Sequence, residues 1–376
     1  MAVPVPAAGP LCNTSDLSVV MTRSAVTLFL TWFCALIGAI GPPGATAAAA
    51  QGVASEQASI PLRLAFDRPI DGTMAPFVLA ATKGLFGAEG LSVSTDIAKS
   101  PDEAIARVAD GSSTVALVDI NALIRFRDTP NAAPVKAVYM LFDAAPYAII
   151  ARRSRGITTL SDLPGKTLGV ATDDLSIRMW PALAARNGIA SGTVKRQPIG
   201  AAVREPMLVA GQVDAVTGFS YLSGVNLRDH GIQANDLVVL RFADYGSPAY
   251  GAALIVNPKF AAEKPDAVRA FLRAVIKGLR QTIRDPGGAI DAVMAQMNGG
   301  TRAIELERLR TALRDNIVTA DVHRNGFGAV NMMRLARAID DIGGDHKFRH
   351  KPAPEDIFDP SFLPPAAERE LKQAAK

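Results

Sequence analysis

Residues 61–97 read PLRLAFDRPIDGTMAPFVLAATKGLFGAEGLSVSTDI. The apolar opening Pro61–Phe66 has the character of a strand, and Asp67-Arg-Pro-Ile-Asp-Gly-Thr73 follows as a polar turn. Ala75–Lys83 reads as a short helix, Gly84–Gly90 as a glycine-rich corner, and Leu91–Ile97 as a second strand. Strand, turn, helix, strand is a βαβ unit, which makes the two strands parallel and the class α/β.

Downstream the alternation continues. Ser100-Pro-Asp-Glu103 has a cap, a first-turn proline and acids, and so predicts a helix start, with Gly111 as its stop. Strands are predicted at Thr114–Val118, Val135–Leu141 and Tyr147–Ala151. A second unit opens at Thr167–Ala171, with a helix from Ser176 to Asn187 and a short one over Glu205–Ala210. Strands are then expected within Gly211–Gly218, at Asp236–Phe242 and at Tyr250–Val256. Lys264–Arg280 places Val268, Phe271, Leu272, Val275, Ile276 and Leu279 at helical spacing. Helices are further expected near Ile304–Ile317 and Ala329–Ile342.

The N-terminus carries a compartment signal. Met21-Thr-Arg23 is a short positive region, Ala25–Ile40 an apolar run, Gly41-Pro-Pro-Gly44 a breaker and Ala45-Thr-Ala47 an A-x-A site. This is the pattern of a cleaved leader, and the run is shorter than the roughly 20 residues of a spanning helix. The expectation is export to the periplasm with cleavage near Ala47–Ala50 and Met21 as a candidate true start; an uncleaved anchor is the other reading. Both cysteines, Cys12 and Cys34, precede the expected cut, so the mature chain would have no thiol for disulfides, metal or nucleophilic chemistry.

Several linked segments resemble the bilobal periplasmic substrate-binding proteins, in particular the nitrate/sulfonate/taurine and thiamine-pyrimidine-precursor group of ABC-importer receptors. They are the βαβ unit with its KGLFGAEGL corner, Leu163-Pro-Gly-Lys-Thr-Leu-Gly-Val170, Gly211-Gln-Val-Asp-Ala-Val216, and Asn257-Pro-Lys-Phe with the helix through Gly278. The resemblance spans residues 60–345 and implies a type II binding-protein fold, two α/β lobes joined by two crossovers. The organisation expected is 1–50 leader, 51–150 lobe 1, 151–248 lobe 2, 249–345 return to lobe 1, and 346–376 tail. The strands Tyr147–Ala151 and Tyr250–Val256 are the candidate crossovers. The resemblance further implies a monomeric receptor that binds a small molecule, delivers it to an ABC permease, and does no chemistry on it.

Ligand sites of α/β sheets form at the carboxyl ends of strands, which selects four loops. In Asp67–Met74, Arg68, Asp71 and Thr73 stand where the family often has an aromatic or an asparagine; an ordinary solvated turn is the plainer reading. In Asp119-Ile-Asn121, either side chain suits a ligand amine or ring nitrogen, and Asp119 equally suits a helix cap. Thr172, Asp173 and Asp174 lie between strand and helix; two carboxylates there disfavour a free anion and favour a cationic or N–H-rich ligand, unless one is simply the cap. Finally Phe219 and Tyr221, with Tyr250 further on, suit clamping of a flat heteroaromatic ring, core packing being the alternative.

Other functions find little support. Net charge is +4 and scattered, with no basic stripe interleaved with aromatics, so no nucleic-acid partner is expected. Gly218-Phe-Ser220 lacks a nucleophile elbow, and no phosphate-binding G-x-x-x-x-G-K-[ST] loop occurs. The pyrimidine synthases of the same fold use a cysteine-rich motif with pyridoxal phosphate, which the expected mature chain lacks. His346-x-x-x-His350 has metal spacing but is surrounded by Lys347, Arg349 and Lys351, so neither metal nor cofactor is expected.

Overall fold

The computed structural model describes residues 59–171 and 174–371. The expected leader, Thr172 and Asp173 lie outside the described residues. The chain opens with β1 (Ile60–Phe66), α1 (Ala75–Thr82), β2 (Leu91–Ile97), α2 (Pro101–Asp110), β3 (Val115–Asp119), α3 (Ile120–Phe126) and β4 (Lys136–Met140). It then enters a second lobe through β5 (Tyr147–Arg152), β6 (Thr167–Ala171), α4 (Leu175–Arg186), β7 (Lys195–Ile199), α5 (Arg204–Ala210), β8 (Ala215–Phe219), α6 (Ser220–Asp229) and β9 (Leu237–Arg241). It returns through β10 (Ala252–Val256) and ends in helices that include α7 (Pro258–Glu263), α8 (Pro265–Arg284), α9 (Pro286–Met294), α10 (Arg302–Ala312), α11 (Ala320–Asn325) and α12 (Met332–Ile342).

Each lobe holds a five-stranded sheet, ordered β2-β1-β3-β10-β4 in the first and β7-β6-β8-β5-β9 in the second. The two orders are the same pattern. In each, three parallel strands are joined to a fourth through one antiparallel strand, β10 or β5, that comes from the far side of the hinge. The crossings themselves lie in 141–146 and 242–251, just before β5 and β10, which are strands inside their sheets.

The crossings run against each other. Ala145 N–H donates to Ala249 O (3.1 Å) and Gly251 N–H to Phe142 O (2.9 Å). A Cβ on Gly251 would come within 2.9 Å of Phe142 Cβ and 3.1 Å of Pro146 Cδ, so only glycine fits this approach.

Local chemistry explains the elements. Ser100 Oγ accepts from Glu103 N–H (3.2 Å), Glu103 reaches back to Lys99 N–H (2.9 Å), and Gly111 closes α2 at φ +85°. Helix α8 buries the six apolar positions expected of it, with Phe271 stacked on Phe86 at 5.3 Å. Gly278 lets α1 approach, since a Cβ there would lie 2.1 Å from Pro76 O. One buried apolar cluster runs from Val118 and Ile255 in the first sheet to Tyr147, Ile149 and Leu240 in the second and Trp180 on α4.

Three expectations differ from the structure. Strand β7 has no apolar alternation and contains Pro198, which an edge strand tolerates because one side makes no ladder bonds. The helix expected through Ile317 ends at Ala312 and continues as a π-turn over Leu313–Ile317. Thr217–Phe219 lies in β8 and Ser220–Tyr221 in α6, so this segment is a strand end running straight into a helix rather than a loop.

Candidate functional site

The carboxyl ends of β1, β3, β6 and β8 carry the residues the sequence selects. After β1, Asp71 Oδ1 accepts from Thr73 N–H (2.8 Å) and from the Thr73 hydroxyl. Arg68 donates to Asp67 (2.7 Å), Asp71 (3.4 Å) and Thr73 Oγ1 (3.2 Å). After β6, Asp174 repeats this device. Its Oδ1 accepts from Ser176 N–H (2.8 Å) and Ser176 Oγ (2.5 Å), capping α4, and its Oδ2 accepts from Arg204 Nη1 (3.2 Å) and Thr217 Oγ1 (2.6 Å). Both lobes therefore present an Asp-x-Ser/Thr cap with an arginine on the outer carboxylate oxygen.

The ends of the third strands differ. After β3, Asp119 Oδ1 accepts from Asn121 N–H (2.9 Å) and Nδ2 (2.8 Å), capping α3. Its Oδ2 accepts from the Tyr147 hydroxyl (2.6 Å), at the start of the second lobe's β5. Tyr147 Oη (2.9 Å) and Tyr250 O (2.8 Å) also lie within hydrogen-bond distance of Asn121 Nδ2, whose two N–H groups are shared among these three acceptors, while Asn121 Oδ1, fully buried, has no partner among the described residues. Asp119 is thus both a cap and a cross-lobe acceptor.

After β8 the wall is aromatic. The Phe219 ring lies 6.1 Å from Tyr147 and 5.9 Å from Tyr221, and Tyr221 meets Phe142 edge-on at 5.9 Å. Tyr221 is buried with its hydroxyl against Thr73 and Arg68 of the first lobe. Ser220 Oγ, also buried, finds no partner among the described residues.

Electrostatics set the two walls apart. The first lobe brings Asp67 and Asp71 around one guanidinium, that of Arg68, with Asp119 beside Asp67. Burial pushes the Asp67 and Asp119 carboxyls above their ordinary range, and each is raised further by a neighbouring carboxylate. Burial also raises the Tyr147 phenol well above its ordinary value, with the Asp119 charge adding to it. An anion placed here would meet carboxylates, whereas an N–H donor would meet acceptors.

Arg68, Asp71, Thr73 and Tyr221 come together, as do Asp119, Asn121 and Phe219 around Tyr147. Tyr250 joins only through its carbonyl; its hydroxyl accepts from Asn331 N–H (3.0 Å) and its ring lies 4.0 Å under the Arg334 guanidinium. The sequence reading did not single out Asp67, Tyr147, Arg204 or Ser220. Asp67 and Ser220 adjoin residues it chose, but Tyr147 and Arg204 are brought in by topology alone. His346 sits outside this region, its Nε2 2.8 Å from Asp128, which also accepts from His350 N–H (2.7 Å). Among the described residues no group of three or more His, Cys, Asp or Glu could hold a metal, and no helix is long and apolar enough to cross a membrane.

The fold is that of the periplasmic binding proteins. The periplasmic aliphatic sulphonate binding protein SsuA of Escherichia coli superposes with a TM-score of 0.64 at 15% identity, over 84% of this chain and 95% of that one. Residues 72–289 match the NMT1/THI5 like family, and the chain belongs to that family. The riboflavin-binding protein RibY of Chloroflexus aurantiacus is similar at 30% identity over 224 residues, 58% of this chain and 61% of that protein. The 4-amino-5-hydroxymethyl-2-methylpyrimidine phosphate synthase of Schizosaccharomyces pombe is similar at 24% over 220 residues, 56% of this chain and 62% of that protein. The matched region thus spans less than two thirds of either relative.

Proposed function

We propose that this protein is an extracytoplasmic receptor that captures a small N–H-bearing heterocycle between its lobes and delivers it to an ABC importer, without chemistry on the solute. The observation that carries the reading is Asn121: a buried side chain whose Nδ2 is fully committed and whose Oδ1 is left as an unpartnered acceptor, beside Asp119 and bonded to Tyr147, whose ring neighbours Phe219. A buried acceptor without a donor costs about 1–3 kcal/mol, which a ligand N–H would recover. Phe219 supplies a face for a flat ring, and Ser220 Oγ a second polar contact. The contact set proposed is Arg68, Asp71, Thr73, Asp119 and Asn121 from the first lobe with Thr172, Asp173, Asp174, Phe219 and Tyr221 from the second; Tyr250 contributes as a backbone support.

The riboflavin-binding relative and the pyrimidine named by the synthase both concern nitrogen heterocycles, in keeping with this wall. The synthase relative keeps an enzymatic reading in view. Against it, the chain has only Cys12 and Cys34, both in the expected leader. The leader pattern supports export, and a permease is the partner such a receptor requires.

A thermal-shift screen tests the proposal. Riboflavin, 4-amino-5-hydroxymethyl-2-methylpyrimidine, taurine, an alkanesulfonate and nitrate are each added to the purified protein. A true ligand at ~100 times its Kd adds about 2.7 kcal/mol. A heterocycle is expected to raise Tm and the anions to leave it unchanged; stabilisation by the sulfonate or nitrate alone would overturn the reading.

A further inference from the structure

The outgoing crossing, 141–146, carries no helix or strand of its own and the returning one only a single 3-10 turn, Phe242–Tyr245, yet one side chain binds both. Arg334, on the first turn of α12, donates from Nη2 to Asp143 O (2.6 Å) and from Nη1 to Asp143 Oδ1 (3.2 Å) on the outgoing crossing. Its Nε donates to Pro248 O (2.9 Å) and its Nη2 to Ala249 O (3.3 Å) on the returning one. The guanidinium also stacks on Tyr250 at 4.0 Å and reaches Asp321 at 3.1 Å. Tyr250 O is the acceptor that holds Asn121 Nδ2.

The helix that carries Arg334 is itself fastened to both lobes. Asp341 takes both Nη groups of Arg186 on α4 (3.0 and 2.9 Å), and Asp345, just beyond α12, pairs with Arg125 on α3 (3.2 Å). The apolar face of α12, Leu335, Ile339 and Ile342, is buried in the same core cluster as Trp180 of α4.

We infer that Arg334 is the hinge clamp of this molecule: it binds the outgoing and returning crossings to one another and to α12, sets the angle between the lobes, and so positions Asn121 and Tyr250 at the cleft. The inference rests on the receptor reading for its functional meaning, though its mechanical content does not depend on any ligand. A fork of donors and a flat cation are both needed, since one face stacks while the edges bond carbonyls on the two crossings. Lysine carries three donors on a compact charge without the planar fork, so it cannot stack on Tyr250 and bond both crossings from its edges at the same time.

The test uses the full chain with Cys12 and Cys34 replaced by serine and spin labels at Ser94→Cys and Arg196→Cys, exposed positions on β2 and β7, the edge strands of the two sheets. Double electron–electron resonance without ligand reads the interlobe distance in the parent, Arg334→Lys, Arg334→Ala and a control, Arg302→Ala, which removes an exposed pair with Asp291. The expected result is a longer and broader distribution for Arg334→Ala, an intermediate one for Arg334→Lys, and an unchanged one for the control. Should Arg334→Ala fail to fold, Arg334→Lys and Arg334→Gln carry the same reading. Distributions that match the parent in every folded Arg334 variant would overturn the inference, as would an equal shift in the control. Riboflavin titration is read separately: a changed distance with no binding of any tested solute leaves the clamp standing and removes the receptor reading instead.

Discussion

The two lobes share one strand order and one capping device, Asp71-x-Thr73 in the first and Asp174-x-Ser176 in the second, each with an arginine on the cap. They part at the end of the third strand. Asp119-Ile-Asn121 gives the first lobe a wall of acceptors, and Phe219-Ser-Tyr221 gives the second a wall of rings. The two lobes thus share a frame, and on the proposed reading a few residues at one pair of strand ends would set what fits.

The largest effect separates core from wall. Phe271, fully buried and stacked on Phe86, should cost about 3–5 kcal/mol when changed to alanine. Phe219→Ala should cost less stability, because this ring is only partly buried, yet weaken ligand binding by about 1–3 kcal/mol through lost stacking. Urea unfolding of both variants checks the first statement and calorimetry the second; a Phe219 variant as unstable as the Phe271 one would make it a core residue.

Next come the close approaches. Gly278→Ala drives a Cβ against the backbone oxygen of Pro76, which cannot retreat, and should cost about 1–3 kcal/mol. Gly169→Ala in the second lobe meets the end of the Ile199 side chain at 2.7 Å, which can turn aside. The Gly169 variant should therefore lose less in Tm; a reversed order would show that the backbone at Pro76 yields more readily than the Ile199 side chain.

Asp174→Ala removes the α4 cap and should cost about 0.5–2 kcal/mol in thermal or urea unfolding, independent of any ligand. Asp174→Asn, which can still cap, should recover most of it. Equal loss in the two would assign the effect to the Arg204 and Thr217 contacts instead.

The smallest effect is in pH. The Asp67 and Asp119 carboxyls stand above their unfolded value near about 4, so the native state holds protons longer, and stability falls as pH rises from there through the folded values. Asp236, on the outer edge of the second lobe, is held at about 2 by Ser154 N–H and Arg152. Its contribution is present above about 4 and is lost as pH falls through about 2. Asp119→Asn should thus gain on the parent as pH rises, and Asp236→Asn should fall behind it over the same range. Parallel stability profiles from pH 2 to 7 would contradict both signs.

Much of this frame is legible in the sequence. Strands β2 and β6 fall on the stretches expected for them, Leu91–Ile97 and Thr167–Ala171, and α8 shows its buried face because one surface of a long helix repeats clearly. Strand β7 is hidden because an edge strand with Pro198 needs no apolar pattern. Site residues directly after a strand, such as Asp119, Asn121 and Asp174, can be read from position alone. Tyr147 and Arg204 cannot: one reaches Asp119 from the other lobe's β5 and the other reaches Asp174 from α5, partners that only the sheet order brings together.

The central claim is that the first lobe's acceptors select an N–H-bearing heterocycle. Isothermal titration calorimetry of the parent and Asn121→Leu with riboflavin, 4-amino-5-hydroxymethyl-2-methylpyrimidine and an alkanesulfonate tests it most directly. The account predicts that a heterocycle binds the parent, that Asn121→Leu weakens it by about 1–3 kcal/mol, and that the sulfonate binds neither. Sulfonate binding to the parent, or heterocycle binding untouched by the Asn121 change, would contradict it.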